Sequence, residues 1–332
     1  MATLKIAING FGRIGRLTLR YLLDFENVEV VAVNDLAPVR TIAHLFKYDS
    51  VHGVFKGTVD TADDHMLING KKVYVYEERS PENLPWKQHD IDVVLECTGI
   101  FRTREKMSLH IQAGAKKVLL SAPGDKAVPM FVMGVNDHLM TADMDLLSNA
   151  SCTTNCLAPM AMILDELAGI ESGYMTTVHA YTADQRLLDA PHKDLRRARS
   201  AAVSMVPTTT GAAKAMGRII PHLEGKLNGM AVRVPTPNVS FTDFTVTTKK
   251  TITAEEINNA MKAAAEGKLK GILAYETEPL VSQDLNGHPA SCIFDAELTS
   301  ANGNLVKICG WYDNEYGYAA RLGDMAIKIG GL

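Results

Sequence analysis

Residues Gly10-Phe11-Gly12-Arg13-Ile14-Gly15 decide the fold. A G-x-G-x-x-G run taken alone is a weak signal, because glycines mark many tight turns. Its surroundings strengthen it here. The apolar run Leu4 to Ile8 precedes it, and Gly12 to Leu23 repeats apolar residues at Ile14, Leu17, Tyr21 and Leu22 with helical spacing. Val28 to Val33 then reads as a second buried strand, and Asp35 stands at its end, twenty residues after Gly15. Strand, helix and strand in that order make a βαβ unit with parallel pairing. Each part suits a dinucleotide. The glycines let backbone N–H groups approach a pyrophosphate at the helix start, and the Asp35 carboxylate accepts from both hydroxyls of the adenosine ribose. The same charge repels a 2′-phosphate, so the reading is an NAD site.

Further strands are expected at Val73 to Tyr76, Val93 to Cys97, Val118 to Ser121 and Met130 to Gly134, with a helix at Arg104 to Ala113. This first half ends near Leu147. A long apolar helix follows at Cys152 to Leu167, then β-branched strands at Tyr174 to His179, Met230 to Val234 and Val239 to Thr247. Helices at Ala254 to Ala265 and Tyr318 to Ile329 complete the pattern. The expected fold class is α/β: an N-terminal Rossmann dinucleotide-binding domain, then an α+β catalytic domain with a mixed or antiparallel sheet.

Composition agrees. A chain of 332 residues is about twice a usual domain, and 46% hydrophobic with 22% charged residues excludes disordered, collagen-like and coiled-coil classes. The 34 basic against 38 acidic residues give a net charge of −4, which speaks against a protein built to neutralise nucleic acid. No membrane partner is expected either, since no window offers eighteen uncharged apolar residues and the start carries no leader pattern. The five cysteines, Cys97, Cys152, Cys156, Cys292 and Cys309, form neither a disulfide framework nor a zinc spacing, so no metal is expected. A reducing, cytoplasmic setting fits them.

Ser148-Asn149-Ala150-Ser151-Cys152-Thr153-Thr154-Asn155-Cys156 lies where a strand hands over to a helix, with Ser151 placed as N-cap. The positive end of a helix favours a thiolate, so Cys152 in the first turn is the reactive sulfur and Cys156 packs as an apolar residue. A buried structural cysteine is the alternative, and the hydroxyl-rich neighbours weigh against it. Of the ten histidines, His179 stands out in Thr176-Thr177-Val178-His179. Spacing alone does not join it to Cys152, and it serves equally as a structural or a catalytic histidine. The basic run Lys193 to Arg199, together with Arg233, lies beside the hydroxyl-rich turns Tyr181 to Asp184 and Thr208 to Gly211. Arginines and hydroxyls at a helix start suit a phosphate group.

These residues resemble one family, the phosphorylating glyceraldehyde-3-phosphate dehydrogenases. The likeness is carried by Asn9 to Arg16, Lys47-Tyr48-Asp49-Ser50, Ser148 to Cys156, Thr209 to Lys214 and Trp311-Tyr312-Asp313-Asn314-Glu315, spread over essentially the whole chain. The resemblance implies an NAD-binding domain of residues 1–150 completed by a C-terminal helix at 316–332, and a catalytic domain of 151–315 with a loop at about 180–204 facing a neighbour in a homotetramer. It implies Cys152 as nucleophile toward glyceraldehyde 3-phosphate and His179 as its proton partner. The substrate phosphate would meet Thr182, Arg199 and Arg233, and inorganic phosphate would meet Ser151, Thr153, Thr210 and Gly211. Besides Gly10, Gly12, Gly15 and Asp35, the cofactor would meet Arg13, Ile14, Arg79, Thr98, Ser121 and Asn314. Ala190-Pro191 stands where strictly NAD-dependent members often have Leu-Pro, which leaves room for NADP as a secondary cofactor. Two alternatives accompany this reading: erythrose-4-phosphate dehydrogenase, and an additional non-enzymatic role at RNA or a surface.

Overall fold

Alternation of apolar residues around the glycine turn produces the first sheet. In the computed structural model, which describes residues 3–332, β1 (Leu4–Asn9) leads through Gly12 into α1 (Arg13–Leu22), then β2 (Val28–Asn34) and α2 (Val39–Lys47). A hairpin series follows as β3 (Val59–Thr61), β4 (His65–Ile68) and β5 (Lys71–Tyr76). β6 (Val93–Glu96), α3 (Arg104–Gln112), β7 (Lys117–Leu120) and β8 (Leu146–Ser148) complete an eight-stranded sheet in the order β3-β4-β5-β2-β1-β6-β7-β8. The strands from β5 to β8 are parallel, as the βαβ order requires, and β3 and β4 add antiparallel edges. Ile6 and Ile8 of β1 and Leu17, Leu19 and Leu22 of α1 are fully buried, each side chain contributing roughly 1.5–3 kcal/mol.

One expected strand is absent. Met130 makes a single bridge to Ser148, and the chain from 131 to 134 turns away. The cause is side-chain capture of its backbone donors: Val132 N–H donates to Asn136 Oδ1 at 2.8 Å and Gly134 N–H to Asp137 Oδ1 at 2.8 Å. β8 takes the sheet edge instead.

The second sheet is built around β9 (Ile170–Ala180). It follows α4 (Cys152–Ala168), and it precedes β10 (Val206–Thr209), α5 (Ala212–Ile219), β11 (Leu227–Val234), β12 (Ser240–Thr248) and α6 (Ala254–Glu266). β13 (Leu273–Glu276), β14 (Cys292–Asn302) and β15 (Leu305–Tyr312) give the order β10-β11-β9-β12-β15-β14-β13, and α7 (Tyr316–Gly330) closes the chain. β9 pairs with β11 in parallel and with β12 antiparallel, so the sheet is mixed. Met175, Thr177 and His179 alternate onto its buried face, while Tyr174 and Val178 point outward. The described residues fold as two compact units, one of residues 3–131, 139–150 and 319–332 and the other of 132–138 and 151–318. Among the described residues, no helix is long and apolar enough to cross a membrane.

Candidate active site

Helix capping and strand register assemble the reactive cluster. Ser151 is the N-cap of α4: its Oγ accepts from Thr154 N–H at 3.1 Å, and no acidic residue occupies the first turn. Ala150 just before it holds φ +57, a left-handed conformation that costs a non-glycine residue on the order of 1 kcal/mol. Cys152 is therefore fixed at the positive end of the helix. Its Sγ lies 3.5 Å from His179 Nε2, so a separation of 27 residues in sequence is closed by β9 running under α4. His179 pairs in register with Arg233 across β9 and β11, and register-matched residues present their side chains on one face. Arg233 Nη1 reaches His179 Nδ1 at 2.7 Å and donates to the Ala180 carbonyl at 3.0 Å.

The electrostatics follow from burial. Desolvation, and then the Arg233 charge, press His179 toward its neutral form, to a pKa of about 3. Burial likewise pushes the Cys152 thiol up, opposed by Arg233 and by hydrogen bonds from Thr153. Arg233 thus acts on both partners, and an anion bound to it would offset the charge that disfavours a proton on His179.

The arginine run sorts differently from its sequence pattern. Arg199 Nε donates to Asp189 at 2.9 Å with its side chain 68% exposed, and nothing ties it to His179 or Arg233. Arg197 is the inward guanidinium: Nη1 meets Asp184 at 2.5 Å, Nε donates to Thr208 Oγ1 at 3.0 Å, and its charge is felt by both His179 and Arg233. The two differ by only two positions in an irregular loop, where no periodicity tells inward from outward. Thr182 opens that loop directly after β9, half-buried, with its carbonyl accepting from Gln185 N–H at 2.9 Å. Thr210 Oγ1 accepts from Ala212 N–H at 3.2 Å where Gly211 caps α5, a helix packed against α4.

In the first unit a cleft of about 420 Å³ lies beside the glycine turn, lined in part by Gly10, Gly12, Asp35, Arg79 and Thr98. The turn fits a close-approaching pyrophosphate. Gly10 has φ +92 and a Cβ there would stand 2.6 Å from Thr98 N, whereas the space beside Gly12 is open. Gly12 caps α1 without a side-chain bond and the first turn carries no acid, so the helix start is suited to an anion. Asp35 Oδ2 is held by Phe11 N–H at 2.9 Å. Arg13 is aimed by Asp49, 2.7 Å away, whose carboxyl is held far below the usual range: burial would raise it, and bonds from His52, Val51 and Arg13 overcome this. Ile14 and Gly15 sit in α1 beneath the turn, and Ser121, after β7, donates its N–H to the Glu96 carbonyl at 2.9 Å. Asn314 belongs to the second unit, where its Oδ1 accepts from Ser240 Oγ at 2.8 Å.

Residues 4–104 match the family model of the glyceraldehyde 3-phosphate dehydrogenase NAD binding domain, and residues 151–314 match that of its C-terminal domain. A glyceraldehyde-3-phosphate dehydrogenase of Geobacillus stearothermophilus is 55% identical over 327 residues, covering 98% of each chain. Glyceraldehyde-3-phosphate dehydrogenase 2 of Nostoc sp. is 56% identical over 331 residues with the same coverage. The chain belongs to the glyceraldehyde-3-phosphate dehydrogenase family. As a member it is an NAD-dependent oxidoreductase that oxidises glyceraldehyde 3-phosphate in glycolysis. The erythrose-4-phosphate and RNA or surface alternatives gain no support from these matches.

Several of the family site's supports escape a reading of the sequence. Glu96 is fully buried and accepts from Asn9 Nδ2 at 2.6 Å, His110 Nε2 at 3.0 Å and Thr98 N–H at 2.8 Å. Trp86 Nε1 donates to His110 Nδ1 at 3.0 Å, which leaves that ring's proton on Nε2, facing the carboxylate. The floor of the cofactor cleft is thereby anchored. A glutamate inside the run Val93 to Cys97 gives only one local signal, an acid where a strand should be apolar.

Proposed function

We propose that Cys152 and His179 carry the chemistry, with Arg233, Arg197 and Thr182 receiving the substrate phosphate. Arg197 takes the place expected for Arg199, because it is the guanidinium turned toward the cluster. The observation that carries the reading is the 3.5 Å approach of Cys152 Sγ to His179 Nε2, beside Arg233. The sulfur adds to the aldehyde carbon, and His179 Nε2 manages the proton between sulfur and the new alcohol oxygen. NAD, when bound, would supply the acceptor for the hydride of that carbon, and His179 Nε2 takes up the proton that the alcohol oxygen releases in the same step. The acyl group is then a thioester on Cys152. Inorganic phosphate, held by Ser151, Thr153, Thr210 and Gly211, attacks its carbonyl carbon, and the thiolate leaves with the electron pair of the C–S bond. Backbone N–H groups at the start of α4 face the oxygen that gains charge in each addition. The test uses glyceraldehyde without its phosphate: kcat/KM falls at least about a hundredfold if the arginines grip that group, and equal use of both aldehydes contradicts the assignment.

Gly10, Gly12, Arg13, Ile14, Gly15, Asp35, Arg79, Thr98 and Ser121 would hold the cofactor, with Asn314 on its carboxamide. Asp35→Ala is expected to raise the NADP/NAD ratio of kcat/KM by roughly tenfold or more, since the charge facing a 2′-phosphate is gone. Steady-state kinetics that leave the ratio unchanged remove Asp35 from the ribose site.

A homotetramer in the cytoplasm completes the proposal. Leu187, Leu188, Leu195, Val203 and Met205, all at least 74% exposed, crowd the loop after β9, and a monomer rarely leaves such a set in water. Sedimentation at the mass of a single chain would contradict it.

A further inference from the structure

We propose that Tyr312 is a positioning residue for the nucleophile: its hydroxyl, held by Thr177, aims the hydroxyl proton of Thr153 at Cys152 Sγ. This rests on the reading of Cys152 as the attacking sulfur. Tyr312 ends β15 and is buried, with its hydroxyl 2.8 Å from Thr153 Oγ1 and 2.8 Å from Thr177 Oγ1. Thr153 follows the nucleophile in α4, and Thr177 lies two residues before His179 on the same face of β9. One phenol therefore ties together the two elements that carry the reactive pair. Its ring also meets His179 edge-on, with centroids 5.9 Å apart and planes at 79°.

The proton count gives this hydroxyl chain a direction. Burial keeps the Tyr312 phenol protonated, so each of the three hydroxyls holds one hydrogen and the two O···O links use two of them. In a relay through Tyr312, which accepts on one side and donates on the other, the third proton emerges at one end. Thr153 is the next residue to Cys152 in α4, its side chain and backbone both lower the thiol, and a thiolate only accepts. The sense is therefore Thr177 to Tyr312 to Thr153 to Cys152, a run of O–H donors ending on the charge that forms when the sulfur loses its proton. The charged and titratable groups facing that sulfur from the packed elements are His179 on β9, Arg233 on β11 and Tyr312 on β15, with Arg197 acting through the first two.

The test is the pH dependence of iodoacetamide alkylation of the whole chain, with the labelled cysteine identified by peptide mass. Tyr312→Phe keeps the ring against His179 and removes only the hydroxyl. Its alkylation midpoint is expected to rise by about one pH unit, a tenfold slower reaction below the midpoint, with the high-pH limiting rate unchanged. Thr177→Val, one link further away, is expected to shift the midpoint the same way by less, and it decides the matter if Tyr312→Phe does not fold. Midpoints equal to wild type in the variants that fold overturn the proposal and leave Cys152 as nucleophile. Wild-type labelling at a cysteine other than Cys152 instead overturns the nucleophile reading, and this inference with it.

Discussion

Cys152→Ser abolishes oxidation of glyceraldehyde 3-phosphate, to below roughly one part in a thousand of wild type, while NAD still binds. The hydroxyl that replaces the thiol keeps the place at the start of α4. An alcohol is a far weaker acid than a thiol, so that place yields almost no alkoxide near neutrality. Serine is also a poor leaving group when phosphate attacks the acyl intermediate. NAD affinity persists because Gly10, Asp35, Arg79 and Thr98 line a cleft within the first unit, whereas Cys152 belongs to the second. Steady-state NADH formation and cofactor titration check both halves. Residual activity within tenfold of wild type would remove Cys152 from the reaction.

Arg233→Ala has the next largest effect. Each charge-assisted hydrogen bond to the substrate phosphate is worth roughly 1.5–3 kcal/mol, so kcat/KM for glyceraldehyde 3-phosphate falls roughly tenfold to a hundredfold. The variant also narrows the gap between this substrate and glyceraldehyde, since the phosphate has lost its main partner. The pH consequence has a definite sign. Arg233 lowers the Cys152 thiol, opposing its burial, and also lowers His179. Without it the thiol titrates at higher pH, so the alkylation midpoint of Cys152 moves up, and His179 keeps its proton to higher pH. Lysine is expected not to restore the site, because a compact ammonium lacks the planar fork by which Arg233 meets His179 and the Ala180 carbonyl with Nη1 and keeps a second nitrogen for a phosphate. An unchanged kcat/KM in Arg233→Ala would place the phosphate elsewhere.

What the sequence makes legible is local. Gly10 to Gly15 followed by Asp35 announces the cleft because its parts lie within one βαβ unit, and Ser151 announces the start of α4 because a cap acts on the next three residues. The pairing of His179 with Cys152 is not local. It arises from the register of β9 with β11 and from α4 above them, and no spacing encodes either. The family pattern points to Arg199 for the phosphate, yet Arg197 is the one turned inward, since a loop without periodicity offers no rule for which side chain faces the cluster. β14 and β15 go unread in the sequence although Gly303-Asn304 between them, with Gly303 at φ +65, is a hairpin signal. Tyr312 enters the reading of the sequence only within the motif Trp311 to Glu315. Only the fold shows that its hydroxyl stands between Thr153 and Thr177.

The central claim, a thioester on Cys152 that phosphate alone resolves, is tested most directly by mixing the protein with NAD and glyceraldehyde 3-phosphate in phosphate-free buffer. The account predicts a burst of about one NADH per chain, an acyl group on the Cys152 peptide, and turnover that resumes when inorganic phosphate is added. Sustained NADH formation at the full rate without phosphate, with no acyl group on Cys152, would contradict it.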